Sequence, residues 1–233
     1  MAFCYIPCAA RTLNLIIEDG LRTAKPLISR LREFVLELNT SPVIASDFKQ
    51  TTSVYQEGSW NFPIDVSTRW SGKYAMLDIA RKASKSIDAV IRKHEGSLAS
   101  NYMLLNPEEK VAVSIMHLYL EPFHKTTNNI CTSKFPTVGL VLFFMVDVFE
   151  MIAACRGSWH APDWLKCCAE NMAEKGRIYN DQVHNIIHFH GCNPRSKDQR
   201  GTYPRKFQIG KQSQRSKGLF REALFEYPFS NTG

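Results

Sequence analysis

At 233 residues, 44% of them hydrophobic and 22% charged, the chain can bury a core in one domain or two small ones, with a balance ordinary for a soluble globular protein. Its longest apolar run, Val138 to Val146, ends at Asp147 and is too short to span about 30 Å of hydrocarbon. Seven cysteines with no signal-peptide pattern ahead of them read as reduced thiols of a cytosolic or nuclear protein.

Apolar residues at helical spacing (Leu13, Ile16, Ile17) predict a first helix over Cys8 to Asp19, closed by Gly20. A second opens near Pro26, carries the stripe Leu27, Ile28, Leu31, Val35, Leu38, and breaks at Asn39 to Pro42. A third is predicted from Pro42 to about Tyr55, with Val43, Ile44 and Phe48 inward. Phe62 to Val66 is the best strand candidate, short and interrupted by Pro63. One long amphipathic helix is then expected from Trp70 to about His94, with Tyr74, Leu77, Ala80, Ile87, Val90 and Ile91 on one side. Asn106-Pro107-Glu108-Glu109 is a strong helix start, and that helix is expected to break at Pro122. Pro136-Thr137 precedes an apolar helix to about Cys155, and His160 to Asp163 opens another to Tyr179 or beyond. From Cys192 the periodicity decays, which predicts a disordered end. Between Asn193 and Arg221 nine Lys/Arg face one acid, Asp198, so this segment carries +8 of a net +7 and the remainder sums to −1. Such a tail favours polyanions through counterion release.

Several stretches, in order, resemble one family, the hAT transposases (hobo, Activator, Tam3). Cys8 to Leu21, CAARTLNLIIEDGL, is similar to the family's Cys-Ala-Ala-His-Thr-Leu-Asn-Leu-Ile segment. Ile64 to Leu77, IDVSTRWSGKYAML, resembles its Leu-Asp-Val-Pro-Thr-Arg-Trp segment. Leu118 to Thr126, the Lys134 to Val138 stretch, and Trp164 to Tyr179 continue the pattern to about residue 180. Within the family the likeness is nearest the domesticated plant branch of zinc finger BED domain-containing RICESLEEPER-like proteins. The resemblance implies a mainly α fold. A partial RNase-H-like segment with few short strands (1–68) leads into a helical insertion region (69–190), followed by a basic tail (191–233). Family catalysis uses two aspartates and a glutamate that hold divalent metals. The aspartates belong upstream of the Cys8 segment and the glutamate far downstream, so this chain is expected to be a non-catalytic piece without metal or other cofactor. Arg11 stands where the family has a histidine, and a guanidinium can only donate where an imidazole could also accept.

The resemblance further implies a nuclear protein that binds DNA with low sequence specificity. The expected contacts are Trp70, which matches the family tryptophan that stacks on a base near the cut, with Arg69, Lys73, Arg11, Arg205 and Lys206 on phosphates. An ordinary buried tryptophan is the competing reading of Trp70. Asp65 is read as a loop cap or ion pair with Arg69 rather than a metal ligand. His184, His188, His190 and Cys192 form the densest soft-ligand cluster but have no recognised zinc spacing. No CxxC pair, phosphate loop, GxSxG elbow or HExxH is present. The rival functions are a helical protein-interaction or self-association module, an active metal-dependent nuclease, and a fragment with no selected function.

Overall fold

The computed structural model describes residues 8–60, 70–96, 104–132 and 138–189, and these are mostly helical, with no strand among them. The mainly α expectation holds; strands of the RNase-H-like kind are not seen among the described residues. The strand candidate Phe62 to Val66, Asp65, the basic tail and the expected boundaries at 68/69 and 190/191 lie outside them. By its internal contacts the chain forms two units. One comprises the start of the chain to Gly20 with the part from Thr126 onward, and the other runs from Leu21 to Lys125.

In the first unit α1 (Ala9–Gly20) buries Thr12, Leu13, Ile16, Ile17 and Gly20, a stripe at helical spacing. It packs on α8 (Asp163–Phe189), which also carries α7 (Val138–Arg156). Val148, Ile152, Leu165, Cys168 and Met172 are fully buried there. Two glycines set how closely these helices approach. A Cβ on Gly20 would lie 2.4 Å from Met172 Cγ and 2.9 Å from the Cys168 carbonyl oxygen, and one on Gly176 would lie 2.3 Å from the Phe149 ring.

The second unit begins with α2 (Lys25–Thr40) and α3 (Pro42–Val54), joined by Ser41. Ser41 serves both helices. Its backbone N–H donates to the Glu37 carbonyl at 2.8 Å, and its hydroxyl accepts from the Ile44 N–H at 3.4 Å. Pro42 follows as the first helical residue, where a missing N–H costs nothing. Ile44, Phe48 and Thr52 line the buried side of α3 at spacing of four, and Phe48 meets Phe34 edge to face at 6.4 Å. Val43, expected inward, is 65% exposed because it sits one position, about 100°, off that stripe.

The helix expected from Trp70 to His94 is two helices, α4 (Trp70–Lys82) and α5 (Ser84–Lys93), broken at Ala83. The break has a cause 26 or more residues away in sequence. The Glu57 carboxylate accepts from the backbone N–H groups of Lys85 (3.2 Å) and Ser86 (3.0 Å) and from the Ser86 hydroxyl (2.5 Å). It thereby satisfies the free donors at the start of α5 and meets the positive end of its dipole.

Helix α6 (Pro107–Thr132), whose residues up to Lys125 belong to this unit, starts on a reciprocal capping box. Asn106 Oδ1 accepts the Glu109 N–H at 2.8 Å, and the Glu109 carboxylate accepts the Asn106 N–H at 3.0 Å. The expected stop at Pro122 does not occur: α6 continues to Thr132 with Pro122 inside. An internal proline costs a helix about 3 kcal/mol or more. Leu120 and Phe123 on either side are fully buried, and burying two such side chains, at about 1.5–3 kcal/mol each, offsets that cost. Helix α2 packs on α3 and α4, and α5 on α3 and α4, with Arg30 paired to Glu109 and Lys110 to Asp88.

Candidate nucleic-acid interface

Trp70, Tyr74, Asp78 and Lys82 recur every four residues along α4, so all four lie on one face. Facing them on α6 are His117 and His124, seven residues and hence about 10.5 Å apart along the axis. The Tyr74 ring stacks on both imidazoles, 4.7 Å from His117 at 17° and 4.3 Å from His124 at 19°. The two centroid distances together nearly fill the two-turn rise, so the phenol is inserted between the histidines. Trp70 meets the edges of Tyr74 (6.2 Å, 65°) and His124 (6.0 Å, 84°). Asp78 accepts from Lys82 Nζ at 2.6 Å and from Arg81 at 3.3 Å, and His117 Nε2 lies 3.2 Å from it without a hydrogen bond.

The electrostatics follow from this enclosure. Burial raises the Tyr74 hydroxyl to about 12, with the Glu121 and Asp78 carboxylates adding to the effect. Burial lowers His117 below the usual imidazole value, against the opposing pull of Asp78, and lowers His124 against that of Glu121. Burial alone would raise Asp78, but the Lys82 hydrogen bond, His117 and Arg81 outweigh it and hold the carboxyl below its ordinary value. Both ring nitrogens of His117 are buried without a hydrogen-bond partner. Both imidazoles are therefore held neutral at neutral pH, and the column acts as an apolar stack.

A stability prediction follows. Because the folded histidines titrate below the unfolded value of about 6.5, the unfolded chain takes up protons first as the pH falls. The stability they contribute is complete above pH 6.5 and declines as the pH drops through their folded values. Asp78 acts in the same direction in a lower window, beneath the ordinary carboxylate range. Thermal melts from pH 7.5 to 5 should show a falling midpoint, with a shallower slope in His117→Gln. An equal slope in the variant removes His117 as the cause.

Of the residues expected to touch DNA, the structure brings Trp70 and Lys73 together on α4. Trp70 is 2% exposed, so in this arrangement its ring offers no face to a base. Lys73 is half-buried, and Arg11 is exposed on α1, in the other unit. Arg69, Arg205 and Lys206 lie outside the described residues. The surface of α4 and α5 is nonetheless cationic: residues 70–93 hold six Lys/Arg against two acids, with Arg81, Lys82, Lys85, Arg92 and Lys93 exposed. Sequence reasoning missed Trp60. Its Nε1 donates to the Glu57 carbonyl at 2.7 Å, and Lys82 Nζ lies 5.1 Å from its ring centroid. The signal available was a glycine two residues before a tryptophan, in a loop between two predicted elements. Among the described residues no group of three His, Cys, Asp or Glu is placed to hold a metal ion, and no helix is long and apolar enough to cross a membrane.

Residues 6–119, just under half of the chain, match the family model of the ZBED1 RNase-like helical domain. A Zea mays protein named as an AC transposase is 34% identical over 184 residues, 76% of this chain and 22% of that protein. A second from Zea mays, named as an AC9 transposase, is 34% identical over 77 residues, 33% of this chain and 9% of that protein. The chain thus spans about a fifth of the length of the first of these relatives. No solved structure gives a significant match. The helical architecture, the matched helical domain and the 34% identity over three quarters of its length agree: the chain is similar to the plant AC transposases and to the ZBED1 RNase-like helical domain.

Proposed function

We propose that this chain is a hAT-type, transposase-derived nuclear protein, nearest the domesticated plant RICESLEEPER-like branch, that binds DNA with low sequence specificity and does not cut it. The observation that carries the reading is the 34% identity over 184 residues to a protein named as a transposase. The net charge of +7 and the cationic α4–α5 surface support binding through phosphates, which are indifferent to sequence.

Fluorescence polarisation with a labelled duplex, titrated across salt, tests the binding. Affinity should fall linearly on a log–log plot, with a slope of about −0.9 per phosphate neutralised. No binding at low ionic strength, or binding indifferent to salt, defeats the proposal. Nicking of supercoiled plasmid with Mn²⁺, lost in Asp65→Ala, would overturn its non-cutting part. A second reading, protein interaction or self-association, draws on Trp159, 90% exposed, and on Val43 and Val54, 65% and 72% exposed. Sedimentation at high concentration separates the two, since a monomer there excludes self-association.

A further inference from the structure

Between α3 and the loop that follows it lies a groove of two adjoining spaces, each about 410 Å³. That volume is in the range of small-ligand sites, roughly 300–1,000 Å³. Lys49, Thr52 and Ser59 line both spaces, Trp60 and Phe48 line one, and Gln56 the other. Among the described residues the lining thus combines aromatic surface, one cation and several neutral hydrogen-bonding groups, with no carboxylate.

The indole is held in place before anything binds. Its N–H is committed to the Glu57 carbonyl, and the Glu57 carboxylate is itself bound to the first turn of α5. Lys82 sits over the ring, and Gly58, at φ +95°, packs against it so closely that a Cβ there would lie 3.3 Å from the six-membered ring. Gln56 beside it adopts φ +55°, which bends the chain around the ring. A fixed aromatic surface loses little freedom when a flat ligand settles on it.

The chemistry of the lining selects the ligand. Aromatic surface takes a flat ring, hydroxyl and amide groups take its polar edge, and Lys49 takes an attached anion. A nucleotide has all three parts. In a duplex both faces of each base are covered by neighbours, so the groove suits a base that is unpaired and turned out of its stack. We propose that this groove binds one unpaired nucleotide of a DNA strand, with the base on Trp60 and the phosphate at Lys49. The inference rests on the DNA-binding reading and adds to it a preference for single strands, at a tryptophan other than Trp70.

The test compares the full chain with Trp60→Ala, Trp60→Phe and Lys49→Ala by fluorescence polarisation. The probes are a labelled oligothymidylate of about 20 nucleotides and a duplex of equal length. Trp60→Ala should weaken the single strand about tenfold, Trp60→Phe much less, and both should leave duplex affinity within about twofold. Lys49→Ala, at an exposed position, should weaken the single strand without altering the melt. Single-strand affinity unchanged in Trp60→Ala, or equal losses on both probes, overturns the site while the DNA reading stands. A wild-type chain that binds only the duplex does the same. A wild-type chain that binds neither probe overturns both.

Discussion

Trp70→Ala is expected to lower the stability of the Leu21–Lys125 unit by about 3–5 kcal/mol, the cost of emptying a large aromatic site in a packed core. The indole is 2% exposed and meets Tyr74 and His124 through their edges. Its removal takes away one wall of the stack in which the phenol lies between two imidazoles. For a chain of this size the midpoint of thermal unfolding should drop by roughly 6–20 °C. Trp70→Phe should recover part of the loss, because a smaller ring keeps one edge contact. Circular dichroism melts check both, and a near-native midpoint in Trp70→Ala shows that the ring is no core residue. Melts also separate the two roles that sequence alone left open for this side chain. A well-folded Trp70→Phe with wild-type DNA affinity assigns it to packing.

The second large effect is expected where two helices touch. Gly20→Ala places a methyl 2.4 Å from Met172 Cγ and 2.9 Å from a backbone carbonyl of α8. The carbonyl cannot turn aside as a side-chain tip can, so α1 must shift or stay strained, at about 1–3 kcal/mol. The double variant Gly20→Ala/Met172→Ala isolates the side-chain part. In the Met172→Ala background the added methyl should cost less but still something, since the Cys168 oxygen remains. Additive losses in the melts would show that the two sites do not touch.

These residues mark what the sequence could and could not disclose. Helix positions were legible because each buried stripe repeats locally: Ile28, Leu31, Val35 and Leu38 on α2, or Ile87, Val90 and Ile91 on α5. Ser41-Pro42 and Asn106 to Glu109 were legible because a cap is a contact between near neighbours. The break at Ala83 was not, because the carboxylate that caps α5 comes from Glu57, outside any local window. Pro122 misled for a similar reason, since the burial that carries the helix through it is supplied by other elements. The row Trp70, Tyr74, Asp78, Lys82 can be read off its spacing, but its pairing with His117 and His124 depends on how α4 meets α6. Trp60 belonged to no periodic stretch and so carried no signal of the kind periodicity supplies.

The return of the chain from Lys125 to α8 bears on biosynthesis. Helix α1 leaves the ribosome well before α8, and the surface that covers Leu13, Ile16 and Ile17 belongs to that helix, which starts about 140 residues later. At translation speeds of about 5–20 residues per second, its apolar stripe waits roughly 10–30 s for a partner. The intervening unit contains its own core and can fold in that interval. For those seconds the nascent α1 is a natural client for whatever shields hydrophobic segments during synthesis.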